Sequence, residues 1–170
     1  MSLDLPVGVA ADLELAVRPY ADPQVQELVA AVQAEYVVRY GGPDEAVVDD
    51  GEFEPPRGLF LIGLAGGEPV AMGGWRRLDR ADGEDADHGG LAEIKRMFVL
   101  DRGRRRGLAR RILTELERTA AEAGVRRLVL NTGVHQPEAI ALYESSGYRS
   151  VPHFGHYAGY PNALFYGKSL

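Results

Sequence analysis

Six of the 17 arginines in this chain fall between Arg102 and Arg111, opposed there only by Asp101. Inside that cluster the run Arg104-Arg105-Arg106-Gly107-Leu108-Ala109 joins two different patterns. Before it, from Ala92, the residues alternate and are rich in β-branched and aromatic types, as in a strand. After it, Leu108, Ile112 and Leu116 recur at the spacing of one helical face. A glycine-containing turn that feeds a helix start leaves several backbone N–H groups without intrahelical partners, and the helix dipole adds partial positive charge there. With arginines around it, the turn is a candidate anion socket, and phosphate is the guest it suits best. The competing reading is a solvated, arginine-rich helix face that binds nothing.

The rest of the composition narrows the partner. A net charge of −6 argues against broad nucleic-acid binding, whereas one dense basic spot on an acidic protein suits a compact anion. The absence of cysteine excludes disulfides, cysteine-type zinc sites and a cysteine nucleophile. His153 and His156 are separated by two residues, with no obvious third ligand nearby, so no metal is expected. A chain of 170 residues fits one domain spanning residues 1–170. The first ~30 residues lack a basic start followed by an apolar core, and no apolar run approaches the ~18 residues of a membrane span. The expectation is a soluble, cytoplasmic protein with no membrane or nucleic-acid partner.

The elements that must position the socket follow from periodicity and breakers. Leu13 to Arg18 alternates as a short strand. Asp22-Pro23 offers a cap and a first helical proline, Val25, Leu28, Val29, Val32 and Tyr36 mark a buried helix face, and Gly41-Gly42 stops it. A short helix is expected around Asp44 to Asp49, and an extended segment over Phe53 to Arg57 because of its prolines. Strands Gly58 to Ala65 and Pro69 to Leu78 flank Gly66-Gly67, a hairpin signal. Asp79 to Gly90 is acidic and aperiodic and reads as a mobile loop, solvated or attracting a cationic amine.

After the strand from Ala92 come a helix over Gly107 to Ala123 and a strand over Arg126 to Asn131. A second helix, Pro137 to Ser146, is closed by Gly147, and strands at Tyr148 to Val151 and Asn162 to Leu170 end the chain. This order predicts an α/β (α+β layered) fold: a mixed, mostly antiparallel twisted sheet of about six or seven strands with helices on both faces. The strands from Ala92 and Arg126 are expected as parallel neighbours across a right-handed crossover, with a ligand site at the open end between them.

Three segments carry a resemblance to the GNAT superfamily of N-acetyltransferases over nearly the whole chain. Arg104 to Ala109 matches that family's acyl-CoA loop, R/Q-x-x-G-x-G/A; Ala92 to Val99 is similar to its fourth strand; and Gln136 to Tyr148 resembles its N-x-x-A-x-x-L-Y-x-x-x-G-F/Y signature. The resemblance implies acetyl-CoA as cosubstrate. Backbone amides of Arg105, Arg106, Gly107, Leu108 and Ala109 would hold its pyrophosphate, with arginines, Arg104 included, neutralising the phosphates. It also implies a bulge in the fourth strand, a splay from the fifth, and a pantetheine arm pairing with backbone near Met97, Phe98 and Val99. Asn131 is expected to add a hydrogen bond or else to serve as a turn residue. Gln136 stands where the signature has asparagine, with its longer amide reaching for pantetheine.

For catalysis, the resemblance makes Glu93 the candidate base, the alternative being a sheet ion pair with Lys95 or Arg76. Tyr143 is the candidate acid for the departing thiolate, the alternative being a core aromatic. A backbone N–H near Phe98 or Val99 would polarise the carbonyl. Without cysteine, direct attack in a ternary complex is expected, the acceptor being the primary amine of a small molecule, amino acid or peptide. Val151 to Tyr157 resembles the tail of a bacterial branch with no single agreed substrate. Homodimers are common in the superfamily. The rival function is a CoA-binding sensor that keeps the fold without turnover.

Overall fold

The structure, a computed structural model, describes residues 13–78 and 90–170. Its frame is one seven-stranded sheet. In chain order the elements are β1 (Leu13–Val17), α1 (Pro23–Tyr40), β2 (Gly58–Ala65), β3 (Glu68–Arg77), β4 (Leu91–Val99), α2 (Leu108–Glu122), β5 (Arg127–Gly133), α3 (Pro137–Ser145), β6 (Arg149–Ser150) and β7 (Ala163–Ser169). The strand order is β1-β2-β3-β4-β5-β7-β6, and every pairing is antiparallel except β4 with β5. The layered α/β architecture expected from the sequence is therefore present.

Each face of the sheet has its own apolar layer. On one, α2 contributes Ile112, Leu113 and Leu116, all essentially buried, against Ala71, Trp75 and Ile94. Each such side chain contributes about 2 kcal/mol by burial, which anchors α2 and with it the turn at its start. On the other face, Val25, Leu28 and Val32 of α1 pack on Phe53, Phe60, Ile62 and Met72. The Asp22 carboxylate caps α1 by accepting from the Gln24 amide at 2.8 Å, and Gly41, at φ +78°, ends it.

Three expectations need correction. Asp44 to Asp49 forms no helix; a 3₁₀ turn forms instead at Asp50–Phe53, because the Asp44 side chain turns back to accept from the Ala46 amide at 3.0 Å. Glu54 to Arg57 is a turn rather than an extended run, with the Arg57 and Gly58 amides both donating to the Glu54 carbonyl at 2.8 and 3.0 Å. The strand expected at Tyr148 to Val151 shrinks to Arg149–Ser150, since β7 inserts between it and β5 and Tyr148 is drawn into the core. The acidic loop read over Asp79 to Gly90 lies, except for Gly90, outside the described residues.

Candidate active site

The site is built by a parallel pair that comes apart. β4 and β5 are paired only through Leu91, Ala92 and Glu93 opposite Arg127, Leu128 and Val129. Further along β4, Phe98 pairs with Met72 and Lys95 with Gly74, so Arg96 and Met97 together face Gly73 on β3. Two residues opposite one make a bulge, and Arg96 carries it at φ +58°, a conformation rare for a side-chain-bearing residue. The bulge bends β4 away from β5 and leaves the β5-facing edge of β4 unpaired beyond Glu93.

A cavity of about 430 Å³ occupies the opening. Its walls come from both faces of the sheet: Tyr36 and Tyr40 of α1, Ile94 to Met97 of β4, Asn131 to Gly133 of β5, Ala139 and Tyr143 of α3, and Tyr157 and Tyr160 of the segment before β7. Gly133 must be glycine because a Cβ there would lie 1.8 Å from the Tyr40 hydroxyl oxygen.

The turn before α2 has the properties expected of an anion socket. Gly107 stands at the N-cap of α2 with φ +73°, and Arg105 is also left-handed at φ +64°. A Cβ on Gly107 would touch nothing in the protein, so conformation rather than space requires glycine there. Among the described residues the amides of Arg105 to Arg110 donate to no acceptor, while the Arg111 amide begins the helical pattern by donating to the Gly107 carbonyl at 3.1 Å. Arg105 and Arg106 are exposed, and neither has a side-chain partner among the described residues. Arg104 is placed differently. Its Nε donates to the Val99 carbonyl at 3.0 Å and its terminal nitrogens pair with Glu35 at 2.6 Å and Asp101 at 2.7 Å. Its guanidinium therefore fastens the turn to α1.

Of the other residues singled out in the sequence, Tyr143 lines the cavity, is 5% exposed, and packs edge-to-face on Tyr148 with ring centroids 5.7 Å apart. Burial pushes its phenol pKa well up, so it stays protonated near neutrality. Met97, Asn131 and Gln136 also line the cavity. The Gln136 carbonyl oxygen, however, accepts from the Thr132 hydroxyl at 3.0 Å and the Gly133 amide at 3.3 Å, which fixes the end of β5. Phe98 and Val99 turn their side chains into the two cores, one each, and do not line the cavity. Leu108 is buried under α2 and Ala109 packs partly against the same core.

Glu93 is buried and does not line the cavity. Its Oε2 accepts from Arg76 Nε at 3.1 Å, while Oε1 lies 3.8 Å from Lys95 Nζ. Arg76 in turn is paired with Glu52. His153 stacks on Phe165 with centroids 4.4 Å apart, and His156 packs against Tyr157 and Tyr160.

Residue periodicity did not single out the charged group facing α1. Arg96 pairs with Asp44, and the Tyr157 hydroxyl donates to the same carboxylate while accepting from the Glu45 amide at 2.8 Å. Burial would raise the Asp44 pKa, but Lys95, Arg96 and the Tyr157 hydroxyl outweigh it and leave the carboxyl below its ordinary value. A signal for this group was present in part: three charged residues within four positions, Glu93, Lys95 and Arg96, interrupt an otherwise apolar strand.

A splayed β4–β5 pair beside a glycine turn with unsatisfied amides defines a class, the acyl-CoA N-acyltransferases. The chain belongs to the acetyltransferase (GNAT) family, whose pattern it matches over residues 25–148. It is 43% identical over 82 residues to an IAA acetyltransferase of Azospirillum brasilense, a match covering 48% of this chain and 54% of that one, so the chain spans about half the length of that relative. It is 31% identical over 117 residues to the uncharacterized N-acetyltransferase YsnE of Bacillus subtilis, covering 68% of this chain and 72% of that protein. Among solved structures, one described as an acyl-CoA N-acyltransferase, from Klebsiella pneumoniae, superposes with a TM-score of 0.74 at 26% identity, covering 93% of this chain and 97% of that one. An Elizabethkingia anophelis GNAT acetyltransferase with acetyl-CoA bound shares the fold at a TM-score of 0.63 and 15% identity, covering 94% and 99% of the two chains. No described helix is long and apolar enough to cross a membrane.

Proposed function

We propose that this protein transfers an acetyl group from acetyl-CoA to the primary amine of a small molecule, amino acid or peptide, by direct attack in a ternary complex. We read it as a cytoplasmic enzyme, with residues 1–170 acting as one domain, with no role for nucleic acid or membrane, and with the homodimer common in the superfamily as one assembly open to it. The observation that carries the reading is the opening between β4 and β5, lined by Tyr143, on a strand whose end leads into the turn of Arg105 to Ala109.

The residues present fit acetyl-CoA. The unsatisfied amides of Arg105 to Ala109 suit a pyrophosphate at the positive end of α2, with exposed Arg105 and Arg106 adding charge. The unpaired edge of β4 from Ile94 to Val99 suits an amide-containing arm that pairs as a strand would. When bound, acetyl-CoA supplies a thioester whose acetyl group passes to a neutral amine, leaving CoA as the thiol. Backbone N–H groups near Phe98 and Val99 are aligned to polarise the carbonyl, since their side chains are held in the two cores.

Tyr143 is the proton donor to the leaving sulfur. Its hydroxyl makes no hydrogen bond to a described residue, and burial keeps it protonated. Glu93 takes the amine's proton through water. Only its Oε1 is suited to this, because Oε2 is held by Arg76. The test is thiol release from acetyl-CoA with a panel of primary amines. Release that requires both the amine and protein is expected; binding of CoA with no release under any amine would make the protein a sensor. Ping-pong kinetics would overturn direct attack.

A further inference from the structure

Lys95 is a charge beside the cavity that is only loosely paired. Its side chain is 7% exposed, yet it lines the opening, with Nζ 5.8 Å from the centre of the Tyr157 ring. Nζ makes no hydrogen bond to a described residue; its nearest carboxylate oxygen, Glu93 Oε1, is 3.8 Å away. The carboxylates nearby are engaged elsewhere. Glu93 is held by Arg76, and Asp44 by Arg96, by the Tyr157 hydroxyl and by the Ala46 amide. An ammonium carries three donors. A molecule that fills the cavity and expels water from it must offer Lys95 an acceptor, because a buried donor left without one is costly.

The position of Lys95 decides which molecule that is. Along β4, Ala92, Ile94 and Val99 enter the core beneath α2, as Tyr143 does from α3. Phe98 enters the core beneath α1, and Lys95 reaches Tyr157 and Asp44 on that side. The donor turn before α2 and Tyr143 thus belong to one face of the sheet, and Lys95 to the other. Resting on the acetyl-transfer reading above, this puts Lys95 in the acceptor's half of the opening, walled by Tyr36, Tyr40, Tyr157 and Tyr160.

We propose that the acceptor is a small amino acid, an amine that also carries a carboxylate, with the carboxylate seated on Lys95 and an apolar side chain between the tyrosines. A peptide N-terminus has no carboxylate beside its amine and does not meet this demand. A cavity of about 430 Å³, shared with the end of the donor arm, is likewise suited to an acceptor of amino-acid size.

Matched acceptors test the proposal: L-phenylalanine against phenethylamine, and L-leucine against 3-methylbutylamine, assayed by thiol release. The wild-type protein should prefer the carboxylated member of each pair by about ten-fold or more in kcat/KM. Lys95→Met should collapse that ratio toward one, and Lys95→Arg should keep part of it. Equal or better use of the decarboxylated amines by the wild-type protein overturns the proposal, as does a Lys95→Met variant that loses both members of a pair by the same factor. A second readout does not depend on turnover. In calorimetric titration of the CoA-loaded protein, N-acetyl-L-phenylalanine should bind at least about ten-fold tighter than N-acetylphenethylamine. Equal affinity would overturn the carboxylate seat. If thiol release fails with every amine but the titration shows the preference, the acetyl-transfer reading falls and the seat on Lys95 stands.

Discussion

Tyr143 combines a core position with a place on the cavity wall. Its ring contributes packing against Tyr148 while the residue lines the cavity, and these two roles separate on substitution. Tyr143→Phe keeps the ring and removes a hydroxyl that has no hydrogen-bonding partner among the described residues. Stability should therefore change by less than about 1 kcal/mol. A lost proton donor should lower kcat roughly a hundred-fold with little change in the KM for acetyl-CoA. An unchanged kcat removes the phenol from the mechanism. Glu93→Gln asks the matching question of the base. It preserves a hydrogen-bond acceptor for Arg76 but cannot take a proton, so kcat should fall roughly a hundred-fold with little change in the KM for acetyl-CoA. An unchanged kcat places the base elsewhere.

At the scale of elements, the site depends on where β4 bends and where α2 begins. The start of α2 was legible in the sequence because a period of two gives way to a period of 3.6 on either side of Gly107, and a glycine marks the change. The tyrosine on α3 was legible for the same reason. The bend itself was not. Nothing in the identity of Arg96 announces a left-handed backbone, and Asp44, which holds it, lies 52 residues earlier in a segment whose composition reads as helical. Nor does periodicity report that β7 inserts between β5 and β6, since strand order is settled by packing between distant segments. The pairing of Arg104 with Glu35 and Asp101 was not legible either, because charge alone does not say which way a guanidinium points. Gly107→Ala tests the turn as an element. Its backbone sits at φ +73° with open space around the absent Cβ, so the substitution should cost about 1 kcal/mol through conformation alone. If the turn anchors the donor, the KM for acetyl-CoA should rise several-fold while kcat is largely kept. A loss of stability with KM unmoved would place the anchor elsewhere.

The two faces of the whole molecule are fastened by different forces. Beneath α2 the contacts are mostly apolar, with Glu117 of α2 pairing with Lys168 of β7 at 3.0 Å. Around α1, ion pairs join segments remote in sequence: Arg104 with Glu35, Arg39 with Glu138, and Arg96 with Asp44, to which the tail adds Tyr157. Acid should therefore loosen the α1 face first. A carboxyl whose folded pKa lies below its unfolded one adds stability that is fully present above the unfolded value and is lost as pH falls through the folded value. Asp44 is such a group, depressed below the ordinary 3.8 by Lys95, Arg96 and the Tyr157 hydroxyl against the opposing effect of burial. Asp44→Asn leaves Arg96, 5% exposed, without a counter-charge, and should destabilise by about 3 kcal/mol at pH 7. Measured by urea unfolding, the gap between wild type and variant should hold from pH 7 to about pH 5 and narrow by roughly 1 kcal/mol by pH 3. A gap that stays constant through pH 3 would mean that Asp44 is not held down by its cationic neighbours. The bulge at Arg96 would then owe its position to packing, and the acceptor side of the opening would keep its shape in acid.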